Sequence, residues 1–245
     1  MYARILTLVR RSFTAAKLGF VFCGTARAQF PKTVNLVRRR IELSIPPQDR
    51  GSMFDLINVW LDDEYGLKSI ACAPRTIIDI GANVGLFSLW AAHTFNHATI
   101  HAYEPNPRVL PYLRANVRGL PVVVFPKGLG SEQGRAHMID DRESRQASTC
   151  ASASGEVEIE PLAEAIRRVG GSVDLMKIDC EGAEWDLFKD RDSLRCVKEI
   201  RMEYHLINGS CLQEFKAKVG ELGFSISRLS PNSGFGIAWL SRLGN

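Results

Sequence analysis

Hydrophobic positions along the chain follow two patterns, one in short unbroken or alternating runs and one with a spacing of three to four residues. The short β-branched runs predict buried strands. They lie at residues 38–46, 76–80, 98–104, 121–126, 173–179 and 197–205. The wider spacing predicts amphipathic helices. These cover residues 51–65, 87–95, 108–117, 182–190 and 210–224.

The order of these elements predicts the fold class. Strands that alternate with helices form a doubly wound, mainly parallel α/β sheet. Two further runs, 225–230 and 235–241, flank a Pro-Asn-Ser-Gly turn and predict a C-terminal antiparallel hairpin. Residues 141–155 are rich in Ser and Ala and predict a surface loop or a lid.

Charge divides the chain into two unequal parts. The formal net charge is +4, but residues 1–40 hold nine Lys/Arg and no Asp/Glu, which leaves 22 basic and 27 acidic residues in the rest. We therefore divide the chain into a basic N-terminal extension, 1–45, and a domain, 46–245. Residues 1–30 predict a basic amphipathic helix that packs on the body or touches an anionic membrane; a cleaved signal peptide is the alternative.

Composition narrows the class of protein and its location. A hydrophobic content of 45% over 245 residues is enough for a buried core. The six cysteines form no CxxC pair and no zinc spacing, so they predict free thiols in the reducing cytoplasm. A body that is not basic also argues against a nucleic-acid partner.

The turn after the strand at 76–80 predicts a cofactor site. It runs through Asp79, Gly81, Asn83 and Gly85, with Asn83 where a dinucleotide-binding turn has its bare second glycine. A side chain there crowds a phosphate but suits S-adenosylmethionine, which has none. Glu104 ends the next strand, 19 residues after Gly85, where a carboxylate can accept hydrogen bonds from a ribose diol.

Acidic residues gather after the strands at 173–179 and 197–205. Asp179 ends the first strand, and Glu181, Gly182 and Glu184 open the next helix close to Lys177. Capping of the helix dipole explains one or two of these acids, but not all three. A metal held by Asp179, Glu181 and Glu203 is conceivable, but no ligand spacing requires one, and we predict none. The second strand ends with Glu203 and His205 on one side, and His205 is a candidate base.

Four segments together resemble the FkbM family of S-adenosylmethionine-dependent methyltransferases. They are IIDIGANVGLFSLWAA, AYEPNP, LMKIDCEGAEWDLF and RMEYH, and the similarity spans roughly residues 74–225. The resemblance implies the class I (Rossmann-like) methyltransferase fold and O-methylation of a small-molecule, sugar or lipid-like acceptor. One departure is Ala163, where the family usually has Asp; either Glu164 replaces it or this part of the site is altered.

The resemblance also implies residue roles. It places the cofactor at Asp79, Gly81, Asn83, Gly85 and Glu104. From the chemistry, either His205 or Asp179 acting through a water is the base, and Glu181 and Glu203 orient the acceptor or the base. Methylation of DNA bases is disfavoured, since residues 178–181 lack the Pro-Pro-aromatic motif. An NAD-dependent oxidoreductase and a non-catalytic binding module remain alternatives.

Overall fold

The structure, a computed structural model, describes residues 2–139 and 148–244. The strands are numbered along the chain. They are β1 (Thr33–Leu36), β2 (Arg39–Glu42), β3 (Thr76–Ile80), β4 (Thr99–Tyr103), β5 (Val122–Phe125), β6 (Gly128–Gly130), β7 (Gly134–Ile139), β8 (Ser148–Ala151), β9 (Val157–Pro161), β10 (Val173–Ile178), β11 (Val197–His205), β12 (Phe224–Pro231) and β13 (Phe235–Arg242).

The helices lie between and before these strands. They are α1 (Tyr2–Lys17), α2 (Gly51–Leu56), α3 (Leu86–Thr94), α4 (Leu110–Asn116), α5 (Leu162–Arg168), α6 (Glu184–Leu187), α7 (Arg191–Leu194) and α8 (Leu212–Glu221). Helix α2 continues as a π-helical turn, Ile57–Leu61. Short 3₁₀ turns cover Thr25–Arg27 and Leu67–Ser69.

A seven-stranded sheet forms the centre of the molecule, in the order β12-β13-β11-β10-β3-β4-β5. Neighbouring strands pair in parallel from β11 through β10, β3 and β4 to β5. Strand β13 pairs antiparallel with both β11 and β12. The predicted parallel sheet with a C-terminal hairpin is confirmed. Strands β4 and β5 follow β3 on one side of the sheet, whereas β11 follows β10 on the other side. The carboxyl ends of β3 and β10 are therefore a topological switch point, where sheets of this kind bind ligands.

The sheet is buried on both faces because its parallel strands are apolar on both. In β3, Ile77 points to one hydrophobic cluster, with α2 and α3, whereas Ile78 and Ile80 point to the other, with α6 and α8. Asp79 lies between them in sequence and is fully buried. Each strand is thus fixed in register by side chains on both faces.

The first 45 residues contribute to one of these clusters. Helix α1 forms as predicted and packs on the body, where Ala15 and Leu18 are buried beside the Ile57–Leu61 turn. Phe22 and the β1-β2 hairpin add to the same cluster. The boundary at residue 45 stays a prediction. Within the described residues, no helix is long and apolar enough to cross a membrane.

A second sheet, in the order β6-β9-β7-β8, was not predicted. Part of the predicted loop at 141–155 is instead strand β8, which pairs antiparallel with β7. Its Ser- and Ala-rich sequence has no hydrophobic period, so the strand depends on pairing that a local pattern does not reveal. The rest of that stretch, up to residue 147, lies outside the described residues.

Candidate active site

A cavity of about 370 Å³ opens at the carboxyl ends of β3, β4, β10 and β11. It lies at the switch point between β3 and β10. Six carboxylates and one ammonium group line it within the described part of the chain. These are Asp55, Glu64, Glu104, Lys177, Asp179, Glu181 and Glu203. The cavity is therefore strongly acidic.

The turn after β3 forms the floor of one end of the cavity. Gly81 has a φ of +72°, and a Cβ there would lie 1.8 Å from the carbonyl oxygen of Asp179, so only glycine fits. Asn83 also has a positive φ, of +48°, a conformation that Asn tolerates better than most residues. Its Oδ1 is buried and has no hydrogen-bond partner among the described residues. An unused buried acceptor here fits a ligand that brings a donor.

Glu104 lies beside this turn and lines the cavity. The backbone N–H groups of Asn83 and Asn106 donate to its two carboxylate oxygens at 2.7 and 2.8 Å. Burial raises the pKa of Glu104 to about 7, although these two hydrogen bonds oppose the rise. Each oxygen keeps a lone pair, so the carboxylate can still accept two hydrogen bonds from a diol.

Lys177 lies between the two predicted parts of the site. Its Nζ donates to the carbonyl oxygens of Ile80 and Gly81, at 3.2 and 2.6 Å, and lies 3.5 Å from Asp79 and 3.4 Å from Asp179. Burial alone would lower the pKa of Lys177, but the two carboxylates raise it above its ordinary value. The ammonium group therefore stays charged and ties the end of β3 to the end of β10.

Asp79 lies behind the turn. It is fully buried, and Ser88 of α3 donates to its Oδ2 at 2.6 Å. Burial raises the pKa of Asp79, and Lys177 opposes that rise. Asp179 accepts a hydrogen bond from the Tyr65 hydroxyl at 3.2 Å.

A buried carboxylate, Glu184, organises the other end of the cavity. Its Oε2 accepts from the backbone N–H of Gly182 at 2.9 Å, and its Oε1 accepts from the backbone N–H of His205 at 2.5 Å. The same Oε1 lies 3.1 Å from His205 Nδ1. On the far side of the ring, His205 Nε2 is 3.3 Å from Glu181 and 3.8 Å from Glu203.

These carboxylates determine the charge state of His205. Burial lowers the pKa of His205, but Glu184, Glu181 and Glu203 outweigh burial and raise it above its ordinary value. Burial and the nearby Asp179 raise the pKa of Glu203. The neighbouring acidic side chains therefore favour the imidazolium form of His205.

The structure brings most of the predicted residues into one cavity. Six of them line it: Gly81, Asn83, Glu104, Asp179, Glu181 and Glu203. Three others, Asp79, Gly85 and His205, are not among its described lining residues and instead support it. Gly85 packs tightly, since a Cβ there would lie 2.7 Å from Leu113.

Sequence reasoning pointed to the helix at 51–65 as part of the acceptor pocket but did not name its lining residues. Asp55, Glu64 and Tyr65 line the cavity from there, and the amphipathic pattern of 51–65 gave the helix but not which residues face a ligand. Ala163 is exposed and Glu164 pairs with Arg167, and neither is a described lining residue. The departure from the family at this point therefore lies outside the described lining of the cavity. No group of three metal-ligating side chains suited to a metal ion occurs among the described residues.

Comparison with known families agrees with this geometry. The sequence profile of the methyltransferase FkbM domain matches residues 79–226, more than half of the chain. The chain belongs to the FkbM methyltransferase family. Its cofactor is thus S-adenosylmethionine, and the expected family, fold class and cofactor are confirmed.

Individual relatives of this FkbM methyltransferase are distant. Methyltransferase sdnD of Sordaria araneosa is 23% identical over 211 residues, which cover 69% of this chain and 81% of that protein. The AMB antimetabolite synthetase AmbE of Pseudomonas aeruginosa is 26% identical over 201 residues, 60% of this chain but 9% of that protein. Among solved structures, the precorrin-6y C5,15-methyltransferase of Geobacter metallireducens aligns with a TM-score of 0.49 at 14% identity, covering 82% of this chain and 93% of that one.

Proposed function

We propose that this methyltransferase transfers the methyl group of S-adenosylmethionine to a hydroxyl of a small-molecule, sugar or lipid-like acceptor. One observation supports this above all. A single cavity joins the turn at Gly81 and Glu104, suited to the cofactor, with the carboxylates Asp179, Glu181 and Glu203. Cofactor and acceptor groups can therefore meet inside it.

The residues at the β3 end fit the cofactor. With the cofactor bound, Glu104 would accept hydrogen bonds from the ribose diol, and the unpartnered Oδ1 of Asn83 would accept from a donor of the cofactor. Gly81 leaves no side chain between the turn and the residues after β10. Two residues hold the turn in place. Asp79 contacts Ser88 and Lys177, and Gly85 packs on Leu113.

The acceptor hydroxyl needs a base. When bound, S-adenosylmethionine supplies a methyl group that is already electrophilic, so positioning of the acceptor and removal of its proton are the tasks of the protein. Glu203 suits the second task at alkaline pH, since it lines the cavity and, once ionised above its raised pKa of about 8, it is a stronger proton acceptor than an ordinary carboxylate. Asp179, fixed by Tyr65 and Lys177, then orients the acceptor, and Glu181 assists it.

His205 is less suited to be the base than its place in the sequence suggested. An imidazolium has no lone pair to accept a proton, and the acidic side chains beside His205 favour that form. Its charge instead holds Glu203 and Glu181 in place. Sequence reasoning proposed two candidate bases, His205 and Asp179. We now assign His205 a positioning role, and Asp179 remains a candidate base beside Glu203.

The acidic cavity also bears on partners. A lining of six acidic side chains and one lysine offers few cations to a phosphodiester backbone, so we propose that nucleic acid is not the acceptor. The free cysteines among the described residues agree with the proposal of a cytoplasmic enzyme.

Transfer of a labelled methyl group tests the proposed function. The protein is incubated with methyl-deuterated S-adenosylmethionine and a metabolite extract, and products are followed by mass spectrometry and NMR. We expect a labelled methyl ether. Glu203→Gln should lower the transfer rate by about 10²- to 10⁴-fold with cofactor affinity nearly unchanged, as loss of a general base does.

Two variants discriminate among the alternatives. If Asp179→Asn loses the transfer rate to this extent and Glu203→Gln keeps a rate near wild type, Asp179 is the base. His205→Gln should shift the pH profile of the rate upward, because removing the cation raises the pKa of Glu203. A labelled amine would contradict O-methylation, and a labelled nucleic acid would contradict the proposed class of acceptor. Cofactor binding without any transfer would indicate a non-catalytic module.

A further inference from the structure

Helix α1 carries an apolar stripe on its outer face. Tyr2, Ile5, Leu6, Val9 and Phe13 are each between 53% and 80% exposed. At 3.6 residues per turn these positions fall within an arc of roughly 100°. An amphipathic helix on a globular protein normally turns such a face toward the core, so this orientation calls for an explanation.

Contacts on the rest of the helix surface hold the helix in this orientation. Ala15 is fully buried, and the Ser12 hydroxyl donates to the carbonyl oxygen of Phe22 at 2.8 Å. Arg11 forms a two-pronged ion pair with Asp62, through its Nε at 2.9 Å and its NH2 at 2.5 Å. The stripe therefore faces away from the body because the other face is occupied.

Basic residues line one edge of the stripe. Lys17 lies 4.4 Å from the centre of the Phe13 ring, and the exposed Arg10 beside it pairs with Asp62 at 2.7 Å. Arg4 and Arg11 lie on the opposite face, where they line an open groove of about 450 Å³. The first 40 residues hold no acid at all. The partner must therefore be apolar over a broad surface and anionic at its boundary.

We propose that α1 docks the protein on an anionic lipid bilayer, with its axis in the plane of the interface and the stripe in the acyl boundary. Apolar side chains on one face with Lys and Arg at its edges are the pattern of interfacial helices. A nucleic acid would use the basic residues but leave the stripe exposed to water. The proposal does not depend on the identity of the acceptor. The segment Ile57–Leu61, on which α1 packs, supplies Asn58 and Val59 to the cavity wall, so docking brings that wall close to the membrane.

Co-sedimentation with vesicles tests the proposal on the full chain. The vesicles contain phosphatidylcholine alone or phosphatidylcholine with phosphatidylserine. We expect binding to the anionic vesicles that weakens as salt is added. Val9→Glu should reduce this binding at least about tenfold, since it removes an apolar side chain that enters the bilayer on docking and adds a negative charge. Lys17→Gln should reduce it about fivefold.

Val123→Glu is the matched control. Val123 is 47% exposed and lies on β5, away from α1, so the same substitution there should leave vesicle binding unchanged. Cofactor affinity, measured on all three variants, should equal that of the wild type. Equal loss in Val123→Glu, equal binding to both kinds of vesicle, or self-association that Val9→Glu abolishes in the absence of lipid would each overturn the proposal. So would binding of RNA with no binding to vesicles.

Discussion

Glu104 combines a ligand-facing position with a pKa near neutrality. When deprotonated it can accept from a diol with both oxygens, whereas protonation turns one oxygen into a donor and removes the charge. Burial raises its pKa to about 7. We therefore expect affinity for S-adenosylmethionine to weaken as the pH falls below about 7, by up to about tenfold per unit, the limit for one proton. Calorimetric titration between about pH 5 and about pH 8 measures this.

Glu104→Gln isolates the contribution of this carboxylate. The variant should bind more weakly at pH 8, by about 1.5 to 3 kcal/mol, the value of hydrogen bonds to a charged group. Its affinity should also lose the pH dependence below neutrality, because an amide does not titrate there. Parallel pH curves for the variant and the wild type would place the titrating group elsewhere.

At the scale of single residues, sequence alone predicted the two ends of the site. Glycine positions in a turn and acids at strand ends follow from backbone geometry and sheet topology, which is why Gly81, Glu104 and Asp179 could be anticipated. The charge state of His205 could not be. It depends on Glu184 and Glu181, which lie on either side of the ring. The spacing of residues along the sequence does not predict such distances between side chains.

At the scale of elements, Glu184 connects the turn before α6 to the end of β11. It is fully buried and accepts from the backbone of both Gly182 and His205. Glu184→Gln keeps the shape but removes the charge, so we expect a loss of about 3 to 5 kcal/mol of stability, as for a broken buried ion pair. The control Glu164→Gln, which breaks an exposed pair with Arg167, should change stability by less than about 0.5 kcal/mol. Thermal unfolding of both variants measures the difference.

The pH dependence of that loss has a definite sign. The pKa of His205 is raised in the folded state, so its charged form stabilises the fold fully below its ordinary value of 6.5 and the contribution is lost as pH rises through the raised pKa. The deficit of Glu184→Gln should therefore be greatest in mildly acidic solution and narrow at alkaline pH. A deficit that is constant with pH would mean that Glu184 acts through the backbone alone.

The main strands were predictable because their apolar runs reflect burial on both faces. The small sheet of β6 to β9 was not, since its Gly- and Ser-containing segments have no period and depend on partners far along the chain. The helix predicted at 182–190 is also shorter than expected. Gly182, with a φ of +100°, and Asp190, as the N-cap of α7, divide that region into a turn and two short helices.

At the scale of the whole molecule, charge and hydrophobicity separate two surfaces. The cavity is acidic, whereas the N-terminal helix is basic and apolar on its outside. The charge count along the sequence revealed this division, but not that the apolar face of α1 points outward. That orientation depends on Arg11, Ser12 and Ala15 contacting the body, and periodicity gives the width of an apolar face without saying what covers it.

The relation of the first 45 residues to the rest leads to the final prediction. Phe22 is 4% exposed and packs in the cluster that also holds Trp60 and Leu89, whereas its neighbour Val21 is 83% exposed. If this cluster is one cooperative unit, Phe22→Ala should cost about 3 to 5 kcal/mol of stability, the usual effect of removing a buried aromatic ring. Val21→Ala should change stability by less than about 0.5 kcal/mol. A single shifted thermal transition for Phe22→Ala would show that the extension and the body unfold together. An unchanged unfolding temperature of the body in both variants would show instead that the boundary at residue 45 separates two independent units. A body that unfolds independently keeps its stability when a cavity is made in the extension.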